Sequence, residues 1–356
     1  MTTSILLVAG LLTLVAGAEL LVRGASRLAA AAGVPPLVIG LTVVAFGTSA
    51  PEMAASLGAA LTGNPDLALG NVVGSNMFNV LGILGLSALV APLGVALRLI
   101  RIDVPIMLAV SLVVAGFAVN GSISRWEGLL LLSFIVGHTV WLVRAARREG
   151  RVGDEAFAVA AATGGAATAR AVAAVGLGLV ALVFGARWLV DGATAVAAAL
   201  GVSDRVIGLT LVAVGTSLPE LATSVVAAAR GQRDIAVGNV VGSNLFNLTA
   251  VIGIAATASP HGVAVADQAL RVDLPVMVAS AMLCVPVFFT GFEVSRREGL
   301  AFLAILTVYI GWVLADDLGR GLPTVVTVAV VAFGAAALVA TAIGSARQLK
   351  RMRDRE

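Results

Sequence analysis

The sequence predicts an all-α integral membrane protein of two inverted five-helix repeats, ten core transmembrane helices, with an extra C-terminal transmembrane helix. Three observations predict it. Of 356 residues, 59% are hydrophobic and 12% charged, with a mean hydropathy of +1.04, an apolar share above that of water-soluble domains. Apolar runs long enough for a spanning helix, which needs about 20 residues, follow one another nearly end to end. The two halves of the chain also repeat each other.

The runs cover residues 4–30, 35–61, 67–91, 103–119, 126–146, 171–199, 205–229, 235–258, 273–290, 297–315 and 322–345, eleven candidate spans. The first has no basic stretch before it and no small-residue cleavage site, so it reads as a permanent helix rather than a signal peptide. If spans alternate, Arg23, Arg27, Arg98, Arg101, Arg144, Arg147, Arg148, Arg151, Arg170, Arg230, Arg233, Arg296, Arg297 and the tail from Arg347 share one side. Only Arg125, Arg205, Arg271 and Arg320 lie opposite. The positive-inside rule makes the crowded side cytoplasmic, with the N-terminus outside, the C-terminus inside and the plasma (inner) membrane as the location. The basic balance therefore reflects topology, and no nucleic-acid partner is expected; the partner is the lipid bilayer. Cys284 is the only cysteine, which excludes an internal disulfide and a thiolate cluster.

Residues 147–170 are polar and rich in Ala, Gly and Thr, and read as a cytoplasmic linker. They separate a first repeat, 1–146, from a second, 171–315, with the extra span and basic tail in 316–356. GTSAPE at 47–52 matches GTSLPE at 215–220, and GNVVGSNMFN at 70–79 matches GNVVGSNLFN at 238–247. Glu220 lies 168 positions after Glu52, and Asn247 lies 168 after Asn79, so the chain is an internal duplication. Five spans per half is an odd number, which turns the second copy upside down. Inverted repeats with interrupted helices are the sequence pattern of secondary transporters, whose ion site lies at the repeat interface near the midplane.

Glu52 and Glu220 fall inside apolar spans, where an ionised side chain costs about 2.5–3.5 kcal/mol on the insertion scale. Pro51 and Pro219 precede them, and each denies a hydrogen bond to the carbonyl four residues back, at Gly47 and Gly215, so the helix must kink or break. Carbonyl and carboxylate oxygens are what hard cations accept as ligands. Thr48 and Ser49 can share a helix face with Glu52, as can Thr216 and Ser217 with Glu220. In the next span Asn71, Ser75 and Asn79 recur every fourth residue, as do Asn239, Ser243 and Asn247, forming a second polar stripe. Asn71 and Asn239 also suit a plainer role as interhelical hydrogen-bond glue, with Gly70, Gly74, Gly238 and Gly242 permitting close approach.

GTS(A/L)PE paired with GNVVGSN(M/L)FN in each half resembles the alpha repeats of the sodium/calcium exchangers, within the calcium/cation antiporter superfamily. The resemblance covers spans one to ten. It implies four central ion sites whose ligands map onto Thr48, Ser49, Glu52, Ser75 and Asn79 in the first repeat and Thr216, Ser217, Glu220, Ser243 and Asn247 in the second. It also implies ligation by the carbonyls of Ala45 and Ala213, in place of the Gly47 and Gly215 carbonyls that the prolines single out. Potassium-dependent relatives carry Asp where this chain has Asn247. Two carboxylates, formally −2, balance one Ca²⁺ or two Na⁺, so potassium co-transport is not expected.

The expected function is antiport of Na⁺ for Ca²⁺ by alternating access, both ions being transported and no cofactor permanently bound. The resemblance implies that spans one and six, bearing Gly17, Gly24, Gly176, Gly178, Gly185 and Gly192, slide across a fixed core. The alternative is a Ca²⁺/H⁺ exchanger using the same two glutamates. An intramembrane enzyme is not expected: His138 and His261 are the only histidines, neither has a match in the other half, and both read as polar residues near helix ends. A channel would need a filter sequence such as TVGYG, which is absent. Arg187 and Asp191, four apart, are expected to pair; Asp103 and Asp273 open matching spans and read as helix-start residues.

Overall fold

The computed structural model describes residues 2–62, 65–150, 165–200, 213–289 and 291–317. In chain order the helices are α1 Thr2–Ala32, α2 Pro36–Thr48, α3 Ala50–Leu61, α4 Leu67–Val90, α5 Leu99–Ala118 and α6 Arg125–Gly150. There follow α7 Gly165–Ala199, α8 Ala213–Thr216, α9 Leu218–Ala229, α10 Arg233–Ala258, α11 Ala269–Phe289 and α12 Arg296–Asp317. Among the described residues seven helices are long and apolar enough to cross a bilayer. The α2–α3 pair, bent by 44°, supplies an eighth as a broken span. The run at 322–345 and the first part of the run at 205–229 lie outside the described residues.

Proline and glycine set the helix boundaries. Gly33 has φ +64°, and the Val34 N–H reaches back to Ala29 O at 3.1 Å, closing α1 with a left-handed glycine cap. Gly231, φ +73°, closes α9 in the same way, with Gln232 N–H on Ala227 O at 2.8 Å. The α2–α3 break falls at Ser49, φ −78° and ψ 5°, two residues before Pro51. Ser217, φ −89° and ψ 7°, breaks the second copy before Pro219. Both breaks follow from a proline that cannot continue the ladder.

Asp103 and Asp273 do not start helices. Helical backbone begins six residues earlier, at 97 and 267, just ahead of the spanning stretches α5 and α11, and each Asp closes a π-helical segment, Leu99–Asp103 and Ala269–Asp273. The apolar run marks where a helix enters hydrocarbon, whereas the hydrogen-bond ladder starts outside it among polar residues. Asp103 is buried beside Arg98, 3.9 Å away, and Asp273 accepts from Tyr309 Oη at 2.8 Å. His138 is likewise not near a helix end but well inside α6, stacked 5.8 Å from Phe134. Arg187 and Asp191 do approach each other, at 4.0 Å.

The halves join at both ends of the bundle. Strand β1 (Leu93–Gly94) pairs antiparallel with β4 (Glu293–Val294), and β2 (Ser122–Ile123) with β3 (Val263–Ala264), each ladder taking one strand from each half. Helices α4 and α10 are buried along most of their length and form the centre, while α6 is largely exposed.

α1 and α7 pack along each other. A Cβ on Gly10 would lie 2.7 Å from Leu189 N, on Gly17 2.8 Å from Leu182 N, and on Gly24 2.9 Å from Val175 N. Gly178, Gly185 and Gly192 face α1 equally closely, again at seven-residue spacing. With backbones this near, close van der Waals packing holds the pair where lipid supplies no hydrophobic drive. Gly185→Val, whose Cβ would meet Leu14 N at 2.5 Å, is expected to prise the pair apart and lower stability by roughly 1–3 kcal/mol. A thermal denaturation midpoint in detergent matching the parent protein would contradict this packing.

Candidate cation site

The two helix breaks and the middles of α4 and α10 converge on one enclosed polar cluster. Thr48, Ser49, Glu52, Ser75, Asn79, Ser217, Glu220, Ser243 and Asn247 are all buried, none more than 3% exposed. Thr216 is half-buried. The sequence-derived side chains are therefore brought together.

Each carboxylate is held by a serine from the other half. Ser217 Oγ donates to Glu52 Oε1 at 2.9 Å and lies 3.1 Å from Ser75 Oγ. Ser49 Oγ donates to Glu220 Oε1 at 3.1 Å. Thr48 Oγ1 donates to Asn239 Oδ1 at 3.1 Å and sits 3.5 Å from Ser243 Oγ; Thr216 Oγ1 donates to Asn71 Oδ1 at 3.5 Å. Breaking the helix just before each glutamate places the Ser at the break against the opposite carboxylate.

Asn71 and Asn239 act as the glue their position allowed. Asn71 Nδ2 donates to Ser56 Oγ at 2.9 Å and Glu52 O at 3.3 Å; Asn239 Nδ2 donates to Ser224 Oγ at 3.0 Å and Glu220 O at 3.4 Å. These bonds fix α4 to α3 and α10 to α9. The close approach expected of the glycines holds at Gly238 and Gly242, where an added Cβ would meet Leu37 O at 3.0 Å and Ala45 Cβ at 2.7 Å, but not at Gly70 and Gly74, where no described atom lies within 4 Å of an added Cβ.

Sequence reasoning missed Ser56, Ser224, Asn76 and Asn244. Asn79 Nδ2 donates to Asn244 Oδ1 at 3.0 Å, and Asn76 Nδ2 to Asn244 O at 3.4 Å. These bonds tie α4 to α10 directly across the repeat interface. The same 168-residue offset links Ser56 to Ser224 and Asn76 to Asn244, and that signal could have found them.

The backbone carbonyls are used unequally. Ala45 O accepts Ser49 N–H at 3.0 Å and Thr48 Oγ1 at 3.4 Å. In the second half Ser217 N–H donates to Val214 O at 3.1 Å. The Gly47 and Gly215 carbonyls face Pro51 and Pro219, which have no N–H to offer them.

What remains unspent defines the chemistry. Glu52 Oε2, Glu220 Oε2, Asn79 Oδ1 and Asn247 Oδ1 are buried with no hydrogen-bond partner. Buried acceptors, two of them ionisable, are costly unless something meets them. None of the ion pairs among the described residues involves Glu52 or Glu220. Asn79 and Asn247 also lie in π-helical segments, Phe78–Leu84 and Asn247–Val251, where the ladder is locally disturbed, as it often is at functional sites. Hard oxygens without a basic partner suit a cation such as Ca²⁺ or Na⁺. Among the described residues no group of three or more His, Cys, Asp or Glu could hold a metal, so thiolate or imidazole chemistry is not offered.

Comparison with known proteins points the same way. Residues 3–144 and 170–315 match the family described as sodium/calcium exchanger protein. The chain is 40% identical over 286 residues to the inner membrane protein YrbG of Escherichia coli (strain K12), spanning 78% of this chain and 87% of that one. It is 33% identical over 340 residues to the sodium/calcium exchanger MaX1 of Methanosarcina acetivorans, spanning 86% and 97%. Among solved structures it superposes on the sodium-calcium exchanger NCX_Mj soaked with 10 mM Na⁺ with a TM-score of 0.76 at 31% identity, covering 87% of this chain and 98% of that one.

Proposed function

Because this chain belongs to the sodium/calcium exchanger family, we propose that it carries Na⁺ inward and Ca²⁺ outward by alternating access, with Glu52 and Glu220 as the ligands both ions share. It is a multi-pass membrane transporter and not an enzyme, and family membership supports antiport of Ca²⁺ against another cation. The observation that supports the cation-antiport reading is the pair of buried, unspent Oε2 atoms; the choice of Na⁺ over H⁺ follows the family and is what the flux experiment decides.

Two carboxylates in one enclosure, without a basic partner, are neutralised by one Ca²⁺ or by two Na⁺. Because the same oxygens serve both, occupancy by one ion expels the other. Thr48, Ser49, Ser75, Asn79, Thr216, Ser217, Ser243 and Asn247, with the carbonyls of Ala45 and Ala213, complete the oxygen shell. Ser217 and Ser49 aim the carboxylates, so each half positions the other's charge. The repeats are taken as inverted, in ten core spans, with the N-terminus outside and the C-terminus in the cytoplasm. The β1–β4 and β2–β3 ladders fit that topology, since it puts residues 93 and 293 on the cytoplasmic side and 122 and 263 on the outer side.

The test is flux into vesicles holding the purified protein, with Na⁺, K⁺ and H⁺ gradients imposed one at a time. Ca²⁺ uptake is expected to follow an outward Na⁺ gradient and to ignore K⁺. Uptake that follows a pH gradient and ignores Na⁺ would replace Na⁺ by H⁺ as the driving ion.

A further inference from the structure

We propose that Glu19 and Arg230 form a one-sided latch that holds the cytoplasmic face shut and biases this transporter toward its outward-open state. The inference rests on the alternating-access reading and orientation above.

The α1–α7 pair, joined by close glycine contacts, does not sit symmetrically on the duplicated core. Both helices pack against α9, and α7 has no comparable packing against α3, the counterpart of α9 in the first half. In the proposed orientation α3 is the outer half-helix and α9 the cytoplasmic one. The α1–α7 pair thus covers the cytoplasmic half-helix α9 and leaves the outer half-helix α3 without comparable packing.

The packed side carries an ion pair that the open side cannot make. Arg230, where α9 ends, presents its guanidinium edge to Glu19 of α1, with Nη2 2.8 Å from Oε1 and Nε 3.0 Å from Oε2. One charge-assisted hydrogen bond, from Nε to Oε2, and a charge contact at Oε1 hold the two groups together. Arg23, one turn along α1, also reaches Glu19 Oε1, and among the described residues it is the other charged group at this carboxylate. The duplication puts Arg187 at the position of Glu19 and Thr62 at that of Arg230. Arg187 turns to Asp191 on its own helix, and Thr62 bonds the Gly58 carbonyl at 2.9 Å. When the α1–α7 pair shifts to close the outer side, the Glu19–Arg230 pair breaks and no equivalent pair replaces it. The latch therefore favours one of the two states by its own strength.

The reporter is Leu218 at the start of α9, half-buried against the core, which the proposed cytoplasmic opening would uncover. In a Cys284→Ser background carrying Leu218→Cys, a membrane-impermeant methanethiosulfonate is applied to the cytoplasmic face of inside-out vesicles without Na⁺ or Ca²⁺. Adding Glu19→Gln or Arg230→Gln is expected to speed labelling about five-fold, the scale of a partly exposed ion pair. The charge-reversed double variant Glu19→Arg/Arg230→Glu is expected to return labelling to the parent rate, which separates loss of the pair from loss of folding. Unchanged labelling in both single variants, or a reversed pair as fast as the singles, would overturn the latch. The readout needs no coupling ion, so a failure of Na⁺ coupling leaves it standing.

Discussion

Replacing either Glu52 or Glu220 with Gln is expected to lower Ca²⁺ flux at least about 100-fold, since removing one charge from a compensated buried set costs roughly 3–5 kcal/mol and each 1.4 kcal/mol is a factor of ten. Gln keeps the shape of Glu and an oxygen for Ser217 or Ser49 to donate to, so the fold is expected to survive the change. The loss is then electrostatic: a site with one carboxylate leaves a bound divalent cation half compensated, and the two Glu→Gln changes together leave only neutral oxygens. Isotope flux in vesicles checks it. Flux in either variant within two-fold of the parent protein would show that the lost charge was not a ligand of the moving ion.

Gly242→Leu is expected to abolish transport and to destabilise the protein as well. The new Cβ would stand 2.7 Å from Ala45 Cβ and 2.8 Å from both Leu41 Cα and Leu41 O. Backbone cannot step aside as a side-chain tip can, so α2 must lift off α10 at a cost of roughly 1–3 kcal/mol. That movement pulls Thr48 away from Asn239 and Ser243, opening the site. The control is Gly116→Ala in α5, where no described atom lies within 4 Å of the added Cβ. It is expected to leave both flux and thermal midpoint unchanged. A Gly242→Leu protein that transports normally would mean that the two helices are not as close as the structure has them.

The site was legible in the sequence because three independent signals met there: an acid in an apolar run, a proline beside it, and a second copy of both. The side chains of Thr48, Ser49, Ser75, Asn79, Ser217, Ser243 and Asn247 follow from helical spacing once Glu52 and Glu220 are noticed. Partner choice was not legible in that way. That Ser217 serves Glu52, and Ser49 serves Glu220, depends on how the two breaks face each other across the interface, and spacing within one helix says nothing about that. Asn76 and Asn244 sit one residue off the four-residue stripe of Asn71, Ser75 and Asn79, so periodicity passed over the side chains that tie α4 to α10. Asp103 and Asp273 were misread for a different reason. Hydropathy reports where a helix enters lipid, whereas the ladder of α5 and α11 begins earlier and passes through a π-helical segment that leaves no mark on composition.

The asymmetry of the latch was also beyond sequence reading. Glu19 and Arg230 lie in different halves, 211 residues apart, and neither belongs to a repeated motif. Only the packing of α1 on α9 brings them together.

The central claim is that one carboxylate from each half holds a single hard cation that Na⁺ displaces. Calorimetric titration of the purified protein with Ca²⁺, at rising Na⁺, tests it most directly. One Ca²⁺ bound per chain is expected, its apparent affinity falling steeply as Na⁺ rises and the binding heat vanishing in both Glu52→Gln and Glu220→Gln. Ca²⁺ binding that persists in either variant, or that Na⁺ leaves untouched, would contradict a shared two-carboxylate site.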